Sequence, residues 1–200
     1  MPTAYPISAV VLAAGSSTRM GTDNKLLLPW GDRRIIEVVV DTLAATRLLE
    51  IILVIGHEDE KVTVAVTKYP VRIVKNQNFS EGMSSSIREG IQMVNSEACG
   101  YLIVLGDMPE ISADTVDALC SQFCTIGNSG IVLPTKAGRR GHPVLFGKKY
   151  RHELMTLSGD RGARSIVANH PGCTVEVPVN SDGIFIDVDT PSAYRAYNHE

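Results

Sequence analysis

Residues 10–29 read VVLAAGSSTRMGTDNKLLLP and mark the point where an apolar segment gives way to a loop of small residues. The apolar run Ile7–Ala14 has the composition of a buried strand. It ends in Gly-Ser-Ser-Thr at positions 15–18, and two cations, Arg19 and Lys25, follow. Such a loop can turn several backbone N–H groups toward one point, which suits phosphate oxygens. We therefore predict a phosphate-binding loop after the first strand, with a solvated strand-to-helix connection as the alternative.

The loop matches neither of two common nucleotide-binding patterns. It is not a P-loop, because no Gly-Lys-Ser/Thr follows, and the dinucleotide fingerprint G-x-G-x-x-G is absent. The two cations differ in chemistry, since Arg19 offers a rigid fork of donors and Lys25 a mobile point charge. We expect backbone amides and both cations to share the bound anion.

The composition excludes several classes of function. The chain has 200 residues, of which 44% are apolar and 20% charged, with a net charge of −3. This length suits a single domain, residues 1–200, with a sizeable core. The charge gives no support for nucleic-acid binding, and no apolar run approaches the roughly 20 residues that cross a bilayer. Because the N-terminus also lacks a basic signal region, we expect a cytoplasmic protein that binds neither nucleic acid nor membrane.

Short apolar segments alternate with helical patterns along the whole chain. The segments predicted as strands are 7–13, 50–55, 71–74, 101–105, 131–134, 144–147, 174–177 and 184–188. The segments predicted as helices are 35–46, 58–69, 83–95, 113–124, 148–157, 163–169 and a last one from Ser192. This order favours an α/β fold with a mostly parallel sheet and helices on both faces. Near-continuous apolar strands are typical of such a doubly covered sheet.

Polar or glycine-bearing residues follow four of the predicted strands. They are the loop from Gly15, the pair 56–57 (GH), the run 76–78 (NQN) and the run 106–109 (GDMP). Ligands of open parallel sheets bind outside the carboxyl ends of the strands. The sequence therefore predicts one ligand site at this edge of the sheet.

Asp107 comes directly after the apolar run YLIVLG, at the mouth of a strand that should be central. A carboxylate beside a phosphate loop suits Mg²⁺, which takes one or two protein oxygens and completes its shell with phosphates and waters. The alternative is a turn residue before Pro109.

A second pair of acids, Asp187 and Asp189, lies near the C-terminus in the segment 185–191 (FIDVDTP). In an extended segment both side chains point to one face, and such acids repel unless a cation or a proton relieves them. A second metal ligand is therefore expected here. Alternatively, Asp189 or Thr190 caps the last helix, with Pro191 in its first turn.

Two helix starts and one loop are further candidates for ligand binding. Residues 81–88 (EGMSSSIR) open a helix with free amides and hydroxyls, which can hold a sugar, a base edge or a phosphate; alternatively, Ser84 only caps this helix. Residues 159–164 (GDRGAR) form a second glycine-bearing helix start with cations, and residues 139–143 (RRGHP) place cations and an imidazole on a loop.

Taken in order, these motifs resemble the MobA-like nucleotidyltransferases, and most closely the molybdenum cofactor cytidylyltransferases. The resemblance covers residues 10 to about 197 and rests on the runs 12–21 (LAAGSSTRMG), 25–29 (KLLLP), 82–86 (GMSSS), 106–109 (GDMP), 140–143 (RGHP), 159–164 (GDRGAR) and 187–191 (DVDTP), together with Asn76. It implies a Rossmann-like three-layer sandwich of the nucleotide-diphospho-sugar transferase type. The implied reaction transfers CMP from CTP to the molybdopterin form of the cofactor and releases pyrophosphate.

The resemblance also implies roles for individual residues. The implied catalytic residues are Arg19, Lys25 and Asp107. The implied nucleotide-binding residues are Leu12, Ala13, Ala14, Gly15, Ser16, Ser17, Thr18, Arg19, Lys25, Asn76, Gly82, Ser84, Ser85 and Asp107. The implied Mg²⁺ ligands are Asp107, Asp187 and Asp189, and the implied acceptor-binding residues are Arg140, His142 and Arg164.

The choice of base depends on Ala14, since the guanylyltransferase relatives that the chain resembles carry Ala-Gly-Gly where this chain has Ala-Ala-Gly. Two positions depart from the family pattern: Phe79 stands where Trp is commoner, and Asp23-Asn24 precedes Lys25. The alternatives are a GTP-using enzyme, or transfer from an NTP to another phosphorylated acceptor. A non-catalytic carrier that hands the cofactor to a molybdenum hydroxylase of the xanthine dehydrogenase type is the third.

Overall fold

The computed structural model describes residues 4–16, 24–160 and 162–197. Its strands are β1 (Tyr5–Ala13), β2 (Pro29–Trp30), β3 (Arg33–Arg34), β4 (Leu48–Ile55), β5 (Arg72–Lys75), β6 (Gly100–Leu105), β7 (Ile131–Lys136), β8 (Arg139–Arg140), β9 (Val144–Gly147) and β10 (Thr174–Pro178). Its α-helices are α1 (Ile35–Ala44), α2 (Asp59–Val66), α3 (Met83–Gln92), α4 (Ala113–Thr125), α5 (Arg151–Met155), α6 (Arg164–Asn169) and α7 (Pro191–Tyr197). Short 3-10 helices lie at Lys25–Leu27, Phe79–Glu81, Lys148–Tyr150, Pro171–Cys173 and Asp182–Phe185.

The central sheet has the strand order β10-β7-β9-β6-β1-β4-β5, with β8 paired to β7. Strands β4 and β6 flank β1 in parallel, and β5 continues the parallel set beyond β4. Strand β9 runs antiparallel to both β6 and β7. The mostly parallel sheet predicted from the alternating pattern is confirmed. The register pairs Leu12 with Val54 and with Leu105, so the carboxyl ends of β1, β4 and β6 lie side by side.

Helices cover both faces of this sheet, which confirms the three-layer sandwich. Ala9 and Val11 of β1 pack in one core cluster with apolar residues of α1, α2 and α4. Val10, which lies between them, packs in a second cluster with residues of α3, α5 and α6. Because neighbouring side chains of a strand point to opposite faces, one buried strand serves both layers. Within the described ranges, no helix has the length and apolar character needed to span a bilayer.

The strand predicted for residues 184–188 is wrong. Residues Asp182–Phe185 form a 3-10 helix, and the chain then runs irregularly to Asp189. A Cβ on Gly183 would lie 1.9 Å from the carbonyl oxygen of Glu110, so this turn packs directly against the loop after β6. Ile184 joins the core without entering the sheet, and Phe185 packs partly buried against it.

Helix α3 approaches the sheet most closely at Gly90, where a Cβ would lie 2.3 Å from Val10 Cγ1 and 3.0 Å from Val54 Cγ2. Both valines belong to central strands that have little room to move. We expect Gly90→Ala to lower the free energy of unfolding by about 1–3 kcal/mol through overpacking, although alanine favours the helix. Urea denaturation measures this change. Gly172→Ala is the control, because no described atom lies within 4 Å of its added Cβ; equal losses would contradict the overpacking argument.

Candidate active site

A lysine and two aspartates from distant parts of the chain meet at the carboxyl edge of the sheet. The Lys25 Nζ contacts Asp107 Oδ2 and Asp189 Oδ1, across 82 and 164 residues of sequence. The side chains of Lys25 and Asp107 are each 14% exposed and that of Asp189 is 26% exposed. We call this group the lysine–aspartate cluster. It brings together three of the residues that the sequence singled out.

Local structure fixes the position of Lys25. The side chain of Asn24 accepts a hydrogen bond from the Leu26 amide at 3.1 Å and so caps the 3-10 helix that begins at Lys25. Leu26 is buried in the core beneath this helix. The buried leucine anchors the turn while its neighbour Lys25 reaches the two carboxylates.

The loop after β6 fixes Asp107. The Gly106 amide donates to the Leu12 carbonyl at 3.0 Å, and a Cβ at this position would lie 2.9 Å from the same oxygen. Glycine therefore allows the loop to run close to the end of β1. The Val188 amide donates to the Asp107 carbonyl at 2.9 Å, which brings the C-terminal segment to the same loop.

The cluster carries more negative than positive charge. Burial raises the pKa of Asp107; Lys25 opposes this rise, and the charges of Asp189 and Asp187 add to it. Burial acts to lower the pKa of Lys25, but the two carboxylates in contact with it outweigh burial and raise that pKa. Lys25 therefore keeps its charge, and the presence of two carboxyl groups against one ammonium favours a further cation or a proton.

The donor set fits a hard divalent ion such as Mg²⁺. Asp107 Oδ1 is buried and has no hydrogen-bond partner among the described residues, and the Asp189 carboxylate lies across Lys25 from it. No group of three or more His, Cys, Asp or Glu side chains that could hold a metal occurs in the described part of the chain. Two carboxylates without a cage match the way Mg²⁺ binds together with substrate phosphates.

The two C-terminal acids differ in their surroundings. Asp189 contacts Lys25, whereas Asp187 is exposed. The prediction that both lie on one face of an extended strand is wrong, because that strand does not form. The prediction that Asp189 or Thr190 caps α7 is confirmed for Thr190, whose Oγ1 accepts from the Ala193 amide at 3.2 Å. Asp189 is therefore the better candidate for the second metal ligand.

The loop after β1 is described only in its first part. Leu12 is half-buried and Ala13 is buried. Ala14 is buried too, and its carbonyl accepts from the His57 amide at 3.3 Å. Gly15 and Ser16 are exposed at the edge that carries the cluster. The remaining predicted phosphate-binding residues, Ser17, Thr18 and Arg19, lie outside the described residues.

Asn76 and the start of α3 form a fixed polar group. The buried Asn76 Nδ2 donates to Ser85 Oγ at 2.8 Å and to Ser86 Oγ at 3.0 Å. Helix α3 begins directly after Gly82, whose φ is +98°. Ser84 therefore does not cap the helix; it lies inside the first turn, with a buried Oγ that has no partner among the described residues. Ser84 itself is fully buried.

The glycine-bearing segment at 159–164 packs on the start of α3, a contact that the sequence did not predict. Asp160 Oδ1 accepts from the Met83 amide at 3.1 Å, and the Gly159 carbonyl accepts from the Ser84 amide at 3.2 Å. Asp160 thus satisfies an unpaired helix-start amide. In the sequence, only the position of Asp160 next to a glycine indicated a helix start, and this did not show that its carboxylate would contact α3.

The three predicted acceptor residues are not all together. Arg140 is exposed on β8 and pairs with Glu176 through Nε and Oε1 at 2.7 Å. His142 is largely buried, and its Nδ1 has no partner within the described ranges. Burial lowers the pKa of His142, the positive charge of Arg164 lowers it further, and Asp187 opposes them. His142, Arg164 and Asp187 thus share one surface, whereas Arg140 is engaged elsewhere.

Because burial lowers the pKa of His142, we expect the free energy of unfolding to fall in mild acid. Its pKa in the folded state lies below the ordinary 6.5, so the unfolded chain binds the proton more readily. The stability is intact above pH 6.5 and falls as the pH drops through the lower folded value. We expect His142→Gln to reduce the difference between urea unfolding free energies at pH 7.5 and 5.5. The exposed His152, replaced in the same way, is the control; an unchanged difference in His142→Gln would contradict the prediction.

The chain is similar to proteins of one family over most of its length. The sequence profile of the MobA-like NTP transferase domain matches residues 9–174. Nicotine blue oxidoreductase of Paenarthrobacter nicotinovorans is 30% identical over 190 residues, which cover 92% of each protein. Molybdenum cofactor cytidylyltransferase of Escherichia coli K12 is 27% identical over 189 residues, covering 94% of this chain and 93% of that protein.

Solved structures share the fold of this chain. Rv0371c of Mycobacterium tuberculosis H37Rv is 28% identical, with a TM-score of 0.82 and full coverage of both chains. Its complex with manganese is 27% identical, with a TM-score of 0.79 over 99% of this chain and 100% of that one. This structural neighbour therefore binds a divalent metal.

Proposed function

Because the chain belongs to the MobA-like NTP transferase family, we propose that it transfers CMP from CTP to the molybdopterin form of the molybdenum cofactor. The observation that carries this proposal is the contact of Lys25 with Asp107 and Asp189 at the end of β1, where the Gly15 loop begins. The similarity to a molybdenum cofactor cytidylyltransferase over 94% of the chain supports the choice of substrates.

In the proposed reaction, a phosphate oxygen of molybdopterin attacks the α-phosphorus of CTP. The new P–O bond forms as the bond to the β-phosphate breaks, and pyrophosphate leaves with the electron pair. Such a transfer needs positioning and charge neutralisation more than covalent help from the protein. Mg²⁺ held by Asp107 and Asp189 would neutralise charge on the phosphates when bound.

Lys25 has two tasks in this proposal. Without substrate, its ammonium neutralises the Asp107 and Asp189 carboxylates that it contacts. With CTP bound, the Lys25 ammonium would donate instead to the departing pyrophosphate. Arg19 and the amides of positions 15–18 would complete the phosphate site, as the family resemblance implies.

The remaining candidates divide between nucleotide and acceptor. Asn76, Gly82, Ser84 and Ser85 would form the side of the site near the base or ribose, where the buried Asn76 and Ser85 would hold the start of α3 in place. On the acceptor side, His142 and Arg164 would bind the pterin or its phosphate. Arg140 would have to leave Glu176 to take part.

The experiment is an assay of pyrophosphate release with purified molybdopterin, MgCl₂ and each of the four NTPs. We expect CTP to be used in preference to GTP, because the guanylyltransferase relatives carry glycine where this chain has Ala14, and the added methyl would leave less room for a larger base. Ala14→Gly should raise the use of GTP relative to CTP by about 10-fold or more, the discrimination that one methyl group can supply. Equal use of CTP and GTP by the natural chain would overturn the choice of base.

A second candidate function comes from the Paenarthrobacter relative, which is named an oxidoreductase and is 30% identical. A redox role would require the chain to oxidise or reduce a substrate, and assays of the purified protein for such a reaction would detect it. The cluster favours nucleotidyl transfer, since hydride transfer requires no pair of acids for a metal.

Tight pterin binding without CTP consumption would instead favour a carrier. We also propose a molybdenum hydroxylase of the xanthine dehydrogenase type as the recipient of the product.

A further inference from the structure

A second set of contacts joins the same three chain segments that carry the lysine–aspartate cluster. Trp30 follows Lys25 by five residues, Glu110 follows Asp107 by three and Tyr194 follows Asp189 by five. The Trp30 Nε1 donates to Glu110 Oε1 at 3.2 Å. The Trp30 and Tyr194 rings lie 6.3 Å apart at 52°. Tyr194 also donates its hydroxyl to the Pro29 carbonyl at 2.7 Å. We call Trp30, Glu110 and Tyr194 the tryptophan bridge.

The position of Asp189 depends on helix α7, which begins two residues later. This helix has seven residues and none of them is fully buried. A helix so short is unstable by itself and needs tertiary contacts. Tyr194 supplies such contacts, to the Trp30 ring and to the Pro29 carbonyl. The packing of Tyr194 therefore holds α7, and it adds to the hydrogen bond from the Val188 amide to the Asp107 carbonyl in positioning Asp189.

The hairpin β2–β3 directly follows the 3-10 helix that carries Lys25 and adds to what holds that helix in place. The hairpin pairs Trp30 with Arg33 and lies outside the central sheet. A two-stranded hairpin is marginal without packing against other elements. The contacts of Trp30 with Glu110 and Tyr194 supply packing on the side of the β6 loop and α7. One side chain thus links all three segments.

We infer that Trp30, Glu110 and Tyr194 are positioning residues that hold Lys25, Asp107 and Asp189 in register for metal and triphosphate binding. The inference rests on the proposed function for the identity of the bound ligand. The contacts among Trp30, Glu110 and Tyr194 do not depend on which base or acceptor the protein uses. Displacement of reacting groups by about 1 Å can cost about 100-fold in rate. A change in the bridge, away from the ligands, should therefore act through the cluster.

The test compares two tyrosines of the same helix. Tyr194→Ala removes the bridge, whereas Tyr197→Ala removes a side chain that is 42% exposed and serves as the matched control. Electron paramagnetic resonance of Mn²⁺, titrated with and without CTP, measures metal binding without an acceptor. We expect Tyr194→Ala to weaken Mn²⁺ binding and to lower turnover about 10-fold or more, with a smaller change in the KM for CTP. Tyr197→Ala should match the natural chain in each measurement.

Trp30 is the single tryptophan of the chain, so intrinsic fluorescence reports on the bridge alone. We expect Tyr194→Ala to shift the emission toward that of an exposed indole. Tyr194→Phe keeps the ring and should restore both the emission and most of the Mn²⁺ affinity. If Tyr194→Ala does not fold, Trp30→Phe takes its place in the Mn²⁺ titration, since it keeps an aromatic ring but removes the donor to Glu110 and part of the ring surface that faces Tyr194.

A double-mutant cycle separates this inference from the proposed function. The unfolding free energies of Lys25→Met, Tyr194→Ala and the double variant need no substrate, and coupled residues give non-additive changes. Additive changes, or equal effects of Tyr194→Ala and Tyr197→Ala on Mn²⁺ binding, would overturn the bridge. A natural chain that releases no pyrophosphate from any NTP, with the coupling intact, would overturn the proposed function alone.

Discussion

Lys25→Met is expected to reduce the rate of pyrophosphate release from CTP by about 100- to 1,000-fold, the usual cost of removing one preorganised donor from a transition state. Lys25 is the described cation in contact with both Asp107 and Asp189. Methionine keeps the length and the apolar stem of the side chain and removes the charge. The loss should therefore appear in kcat more than in the folded structure.

Initial rates at saturating CTP and MgCl₂ measure this effect, and circular dichroism checks the fold. Lys61→Met is the matched control. Lys61 lies on α2, pairs with Glu58 and has a side chain that is 68% exposed, so the substitution removes the same charge outside the cluster. We expect the control to keep the natural rate. Unchanged turnover in Lys25→Met would remove this residue from the triphosphate site.

The same substitution should make the stability depend more strongly on pH. Lys25 opposes the rise that burial causes in the pKa of Asp107, so its loss raises that pKa further. A carboxyl group with a raised pKa in the folded state costs stability as the pH rises from its unfolded value through its folded value. Lys25→Met should therefore lose more stability at pH 8 than at pH 5. Added Mn²⁺ should recover part of the loss at pH 8.

The site could be placed from the sequence because the core strands are nearly continuous apolar runs. Strands β1, β4 and β6 form within two residues of the predicted bounds. Parallel pairing then brings the residues after each strand to one edge, which explains why Lys25 and Asp107 meet. The rule that ligands bind at this edge needs only the strand order and direction.

Other features could not be predicted because they depend on partners far away in the chain. The apolar run 184–188 has the pattern of a strand, but Gly183 packs it against the backbone of Glu110, and periodicity does not show that contact. The spacing of Asp187 and Asp189 likewise does not indicate which of the two carboxylates contacts Lys25. The role of Trp30 could not be predicted either, because its hydrogen-bond partner Glu110 lies 80 residues away in the sequence.

Asp107→Asn is expected to lower the rate of nucleotidyl transfer to about 1% or less of that of the natural chain. We expect no loss in the free energy of unfolding. The asparagine keeps the shape of the side chain and removes the charge that a hard cation prefers. Since burial raises the pKa of Asp107 in the folded protein, removal of this charge relieves a desolvation cost. Lys25 keeps its contact with Asp189. Loss of activity together with an unchanged or higher midpoint of unfolding would assign Asp107 to ligand binding.

The two C-terminal acids provide the internal comparison for this prediction. Asp189→Asn should reduce turnover about 10-fold or more, because its carboxylate contacts Lys25 within the cluster. Asp187→Asn removes the same charge two residues away, from an exposed side chain, where salt screens its effect. Rates measured over a range of Mg²⁺ concentrations separate weaker metal binding from slower chemistry: Asp107→Asn and Asp189→Asn should need more Mg²⁺, and Asp187→Asn should not. An equal requirement in all three variants would exclude the cluster as the metal site.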